Sequence, residues 1–115
     1  DGWQWRPDLI WVDNLNTYGT PNYYVQKLFS LNKGTQVVPI TLNRDVVAGQ
    51  DSLYASAVVD KTTNELVIKI VNASGREQVN TLSIEGVKKL ATKGTLIVMQ
   101  ENDLSKVNSI ERPRI

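Results

Sequence analysis

The residues best suited to chemistry fall in one short stretch, Asn14-Leu-Asn-Thr-Tyr-Gly-Thr20. It offers carboxamides at Asn14 and Asn16, hydroxyls at Thr17, Tyr18 and Thr20, and one aromatic ring, with no formal charge. Such a set suits a neutral polyhydroxylated ligand such as a sugar. Asn14, Tyr18 and Thr20 are the candidate binding residues. A second account competes with this one: the same residues are turn formers leading to a helix cap. On the residues alone that structural account is the better supported, because Thr20 is fully explained as a cap.

The carboxylates offer less. Cleaving a glycosidic bond with retention needs two carboxyl groups about 5–5.5 Å apart. Glu101 and Asp103 are close in sequence but sit in a polar, strand-end context, and Asp13 stands alone at the end of an apolar run. The chain has no histidine and no cysteine. The commonest general base, the usual partner of a serine or cysteine nucleophile, and the favoured zinc ligands are therefore missing from this sequence. No metal-ligand spacing or glycine-rich phosphate loop occurs, so no catalytic residue and no cofactor is expected.

Composition narrows the partners. With 13 basic against 12 acidic residues among 115, no polybasic patch points to nucleic acid. Apolar runs such as Leu96–Met99 fall far short of the roughly 20 residues that span a bilayer. Trp3, Trp5 and Trp11 lie within nine residues. Trp11 is expected in a core, whereas Trp3 and Trp5 would pack on absent parts of a larger protein or, exposed, promote self-association into a homo-oligomer.

The elements that would position the candidate residues come next. Residues 8–13, Asp-Leu-Ile-Trp-Val-Asp, form a nearly continuous apolar run, as in a strand buried on both faces of a parallel sheet. Thr20 and Pro21 then open a helix over residues 21–32, with an apolar stripe at Tyr24, Val25, Leu28 and Phe29. Asn32-Lys-Gly34 would close it with a basic last turn and a left-handed glycine. Strand, loop and helix make one β/α unit, which cannot cover its own sheet. After Gly34 the period becomes two. Strands are expected at Val37–Leu42, with Pro39 marking an edge or a bulge, at Leu53–Val59 and Leu66–Val71 as a hairpin, at Glu77–Ile84, and at Thr95–Glu101. Asn72-Ala73-Ser74 fits the glycosylation tripeptide, with chance the better account.

Two long runs carry a family resemblance. They are Trp5-Arg-Pro-Asp-Leu-Ile-Trp-Val-Asp-Asn14 and Tyr18-Gly-Thr-Pro-Asn-Tyr-Tyr-Val-Gln-Lys-Leu-Phe-Ser30, followed by Asn32-Lys-Gly-Thr35. With Leu53-Tyr-Ala-Ser-Ala-Val-Val-Asp-Lys-Thr-Thr-Asn-Glu65 and Asn108-Ser-Ile-Glu-Arg-Pro113, the sequence closely resembles the C-terminal region of the α-L-arabinofuranosidases of glycoside hydrolase family fifty-one.

The resemblance implies a mainly β fold: an antiparallel β-sandwich, jelly-roll-like, over residues 35–115, preceded by the last strand and helix of a (β/α)8 barrel over residues 1–34. It implies a retaining parent enzyme that removes terminal arabinofuranosyl units from plant polysaccharides, its two glutamates lying upstream of Asp1. The fragment itself would then be non-catalytic and structural, with the rest of the barrel as its partner and arabinose-containing polysaccharide met through the parent. An independent carbohydrate-binding sandwich is the alternative. Asn14–Thr20 corresponds to a loop beside the sugar site, and Thr20 aligns with a position near the bound arabinose. The start at Asp1 suggests a processed or excised product, and the end falls short of the family's last strand. A periplasmic or extracellular address would suit the parent.

Overall fold

A computed structural model describes residues 8–113. The protein is mainly antiparallel β with one helix. Its frame is a hairpin of two eight-residue strands, β6 (Leu53–Asp60) and β7 (Glu65–Asn72), paired without interruption from Leu53 with Asn72 to Asp60 with Glu65. The register follows from side-chain parity. Leu53, Ala55, Ala57 and Val59 share one face with Leu66, Ile68 and Ile70, so a slip by one residue would turn this apolar set outward. The turn reinforces the register: Asn64 takes the left-handed conformation at φ 59°, and the Thr62 amide and hydroxyl both donate to Asp60 Oδ1. Those bonds, the hydroxyl's first, hold the Asp60 carboxyl below the ordinary aspartate range.

Strand β3 (Gln36–Val38) adds to the other edge of β6, pairing Val37 with Val58. Pro39 ends it, having no amide to donate. The chain then makes a small separate ribbon from β4 (Thr41–Leu42) and β5 (Asp45–Val46), joined by Asn43 and Arg44. Both of these have positive φ, as a two-residue hairpin turn requires. The expected strand at Val37–Leu42 is thus split at its proline. The two antiparallel sheets beyond residue 35 are consistent with the sandwich expected from the sequence.

The front unit differs from expectation. Strand β1 (Ile10–Val12) runs antiparallel to β2 (Thr17–Gly19), so the segment read as a loop leaving a parallel strand contains a strand of its own. The cause is local. Asp13 and Asn16 exchange both backbone hydrogen bonds and leave only Asn14 and Leu15 to reverse the chain, which hands β1 the nearest partner in sequence. Nor is β1 buried on both faces here, since Ile10 is 49% and Val12 74% exposed. Trp11 is half-buried and not fully core, its ring stacked on Tyr18 at 6.4 Å between centroids. Trp3 and Trp5 lie outside the described residues.

Helix α1 (Pro21–Leu31) begins as its sequence dictates: Thr20 Oγ1 accepts from the Tyr23 amide, and Pro21 occupies the first turn. Its end corrects the sequence reading. No basic residue lies in the last turn, and Gly34 is not left-handed; Asn32 instead caps by donating its side-chain amide to the Leu28 carbonyl. The cation at the helix end comes from the sheet, where Lys69 Nζ donates to the Phe29 carbonyl and lies 4.9 Å from the Phe29 ring. Gly34 is small for a different reason. A Cβ there would come within 2.8 Å of Val58 and of the Val59 carbonyl. That close approach lets the Thr35 amide bond to the Val59 carbonyl at 2.9 Å.

Beyond Asn72 no described residue lies in a strand, which corrects the expectation at Glu77–Ile84 and Thr95–Glu101. β-propensity marks segments that fit a pleated surface without naming the partner strand. Leu96 is accordingly 86% exposed. The Asn72 amide is held in the turn that follows β7: its Oδ1 accepts from the Ser74 amide and hydroxyl, and its Nδ2 donates to the Arg76 carbonyl. Among the described residues Leu53 and Ala57 are the only buried apolar side chains, each still 6% exposed. The radius of gyration is 17.7 Å, against about 13 Å for a compact domain of 100 residues.

Gly34→Ala should destabilise the protein by about 1–3 kcal/mol, because the added methyl meets β-sheet backbone that cannot yield. The denaturation midpoint measures this; an unchanged midpoint would mean that residues 34–35 can lift off β6. The Asp60 contact should depend on pH with a definite sign. Its folded pKa is depressed, so its stabilisation is present above the ordinary value of about 3.9 and is lost as pH falls through the lower folded value. Protection of the Thr62 amide, followed by hydrogen exchange, should fall only in that acid window.

Candidate functional site

One concave region of about 810 Å³ lies between the front unit and the chain's last described segment. One wall carries Trp11, Asp13, Tyr18 and Thr20, and the other carries Asn108 and Glu111. The stacked Trp11 and Tyr18 rings give an apolar surface edged by hydroxyls, carboxylates and carboxamides. That is the kind of lining a sugar ring with equatorial and axial hydroxyls can use.

Of the three residues singled out from sequence, Tyr18 and Thr20 reach this groove and Asn14 does not. Asn14 lies at the tip of the β1–β2 turn, exposed, with its amide bonded to Asp13 Oδ1. Thr20 lines the groove, but its hydroxyl is already committed. It donates to the Leu9 carbonyl at 3.1 Å and accepts from the Tyr23 amide at 3.3 Å. A hydroxyl has one hydrogen and two lone pairs, so Thr20 could only accept one further bond.

The opposite wall was not visible from residue types. Asn108 is 6% exposed and is the only buried polar residue among those described; its Nδ2 donates to the Gly19 carbonyl at 2.7 Å. A second tie joins the Tyr24 hydroxyl to the Pro113 carbonyl at 3.4 Å. Both cross 89 residues of sequence. The segment between them is kept bent by the Ser109 amide, which donates to the Arg112 carbonyl. Glu111 is held below the usual glutamate range by its own backbone amide and by the Ser109 hydroxyl, 2.9 Å from Oε2. It is a carboxylate at neutral pH, suited to accepting hydrogen bonds and unsuited to donating a proton.

Glu101 and Asp103 build a surface loop. The Asp103 amide donates to Glu101 Oε1, Lys106 pairs with the same carboxylate at 3.0 Å, and Asp103 accepts from the Ser105 amide and hydroxyl. Both carboxyls are held below their ordinary ranges, Glu101 first by the Asp103 amide and then by Lys106, and Asp103 by the Ser105 hydroxyl. Among the described residues no group of three or more His, Cys, Asp or Glu side chains is close enough to hold a metal ion. No helix of the described residues is long and apolar enough to cross a membrane.

The double role of Thr20 sets an expectation. Thr20→Ala should cost about 1 kcal/mol through the lost cap. Thr20→Ser, which keeps the hydroxyl, should recover most of it in a thermal denaturation comparison. Equal losses in both would place the effect in the threonine methyl.

Comparison with known proteins gives these features a family. The chain is similar to an α-L-arabinofuranosidase of Arabidopsis thaliana at 32% identity over 118 residues, covering 93% of this chain and 16% of the relative. It is similar to another from the same plant at 29% over 119 residues, again covering 93% of this chain and 17% of the relative. An extracellular exo-α-L-arabinofuranosidase of Streptomyces chartreusis is 56% identical over a shorter 36 residues, 31% of this chain and 4% of that protein. The chain thus spans less than a fifth of the length of these relatives. No solved structure gives a significant match. A family model described as the α-L-arabinofuranosidase C-terminal domain matches residues 3–115, nearly the whole sequence, and the chain belongs to that family.

Proposed function

We propose that this chain is the C-terminal part of a retaining α-L-arabinofuranosidase of glycoside hydrolase family fifty-one, which removes terminal arabinofuranosyl units from plant polysaccharides. The observation that carries the reading is the family match over residues 3–115, joined to the small share of each relative that the chain covers. Residues 1–34 are the last strand and helix of a (β/α)8 barrel, and residues 35–115 are the companion jelly-roll-like sandwich. The exposed Ile10 and Val12 side chains support this division, because a barrel neighbour of β1 would cover the face they share.

In this reading the chain contributes structure and one wall of the sugar site, and other barrel strands supply the acid and the nucleophile. Tyr18 and Thr20 face the sugar from the groove; Asn14, at the exposed turn, contacts it only if the rest of the barrel closes over that turn. The parent barrel is the chief partner, and arabinose-containing polysaccharide is met through it.

The intact enzyme carrying this segment should hydrolyse an aryl α-L-arabinofuranoside with retention, followed by NMR of the released sugar, while residues 1–115 alone should give no turnover. Hydrolysis by the isolated segment, or none by the intact protein, would overturn the reading. A calorimetric titration of residues 1–115 with arabino-oligosaccharide should be flat; measurable heat would favour an independent binding module instead.

A further inference from the structure

We infer that Asn108 is a positioning residue, which fixes the spacing of the two groove walls by holding the backbone carbonyl between Tyr18 and Thr20. The inference rests on the sugar-site reading above and adds a residue to it. Its basis is hydrogen-bond bookkeeping along an antiparallel ribbon. Such a ribbon alternates pairs that exchange backbone bonds with pairs that do not. In β1–β2 the Thr20 amide donates to the Leu9 carbonyl, and Asp13 and Asn16 bond each other reciprocally. The pair Ile10 with Gly19 falls between these, at a position that exchanges no bonds. The Gly19 carbonyl therefore points to the outer edge of β2.

Gly19 is nevertheless buried, and a buried carbonyl needs a partner. Asn108 supplies it at 2.7 Å from the far end of the sequence. The other side of Gly19 is closed too, since a Cβ there would collide with the Tyr23 ring. Residue 19 is thus clamped between a helix side chain and the Asn108 amide. Its two neighbours carry the groove's Tyr18 ring and Thr20 hydroxyl, and residues 107–111 form the facing wall. This hydrogen bond is the tie at the groove itself, the longer Tyr24–Pro113 contact lying beyond it. Losing it would leave the chemistry intact and blur the geometry that holds the sugar.

The test is made in the intact enzyme with Asn108→Ala and Asn108→Asp, reading KM and kcat for an aryl α-L-arabinofuranoside together with hydrogen exchange over residues 107–113. Asn108→Asp keeps the shape but sets a carboxylate against a carbonyl, and it serves if the alanine variant does not fold. Both variants should raise KM by about tenfold, the factor expected when one buried hydrogen bond is lost, with kcat within about twofold. Exchange over residues 107–113 should quicken. Asn102→Ala, a change at an exposed loop residue, should alter neither.

A merely structural role would lower the active fraction and hence apparent kcat, but would leave KM at the wild-type value; that result overturns the inference. If the wild-type enzyme proves inactive on arabinofuranosides, the functional reading fails by itself. Exchange then still judges the clamp, which is refuted if residues 107–113 are equally protected in wild type and variant.

Discussion

The uninterrupted pairing of β6 with β7 is the constraint on which the rest of the structure depends. It fixes which side of each strand carries the apolar set, and so which face is offered to the helix, while β3 takes the free edge of β6. Val58 and Lys69 point to the same face. The first packs under Gly34, and the second reaches the C-terminal end of α1. A slip of one residue would bury neither Leu53 nor Ala57 and would carry Lys69 away from the Phe29 carbonyl. The hairpin forms readily because its partners are adjacent in sequence and its turn has Asp60 and Asn64 at the positions that close it.

The front unit is joined to this frame by few contacts, and its character follows from that. Gly34 and Thr35 lead from the helix onto the edge of β6, and Lys69 satisfies a carbonyl left open at the end of α1. The remaining tie is made by the end of the described chain, through Asn108 and Pro113. Ile10, Val12 and the long segment after Asn72 leave much apolar area in solvent. Exposed apolar area on this scale is unusual for a monomeric domain.

The candidate groove shows how a site can depend on structure that carries no reactive group. Thr20 caps the helix, anchors Leu9 and lines the groove with the same hydroxyl. Glu111 is held below the usual glutamate range by its own backbone amide and then by a neighbour two residues away, and Tyr18 lies stacked on Trp11. None of these side chains is isolated from the fold's own needs. At Thr20 the fold takes the hydroxyl hydrogen and one lone pair, which leaves a single lone pair open toward the groove.

Short-range physics made part of this legible in the sequence. The cap at Thr20, the proline at the first helical position and the β6–β7 hairpin each depend on residues within a few positions of one another. Tyr18 and Thr20 were singled out from the same short stretch, Thr20 being that cap and Tyr18 lying two residues before it, and both line the groove. Where a second, distant partner decides, residue types were not enough. Gly34 signals a small residue, but only the proximity of Val58 shows that space, and not left-handed φ, is what it provides. The run Thr95–Glu101 has strand composition, yet no described residue beyond Asn72 lies in a strand. The pairing of β1 turned on a two-residue reversal that supplies it with an antiparallel partner. Asn108 looks like any polar residue near a chain end until the fold sets it beside a carbonyl that the β1–β2 ribbon leaves unpaired. The sequence by itself determined the local elements, because their hydrogen bonds close within a few residues. The tertiary structure decided the site, because a buried backbone group can be satisfied from anywhere in the chain, and only the folded path shows from where.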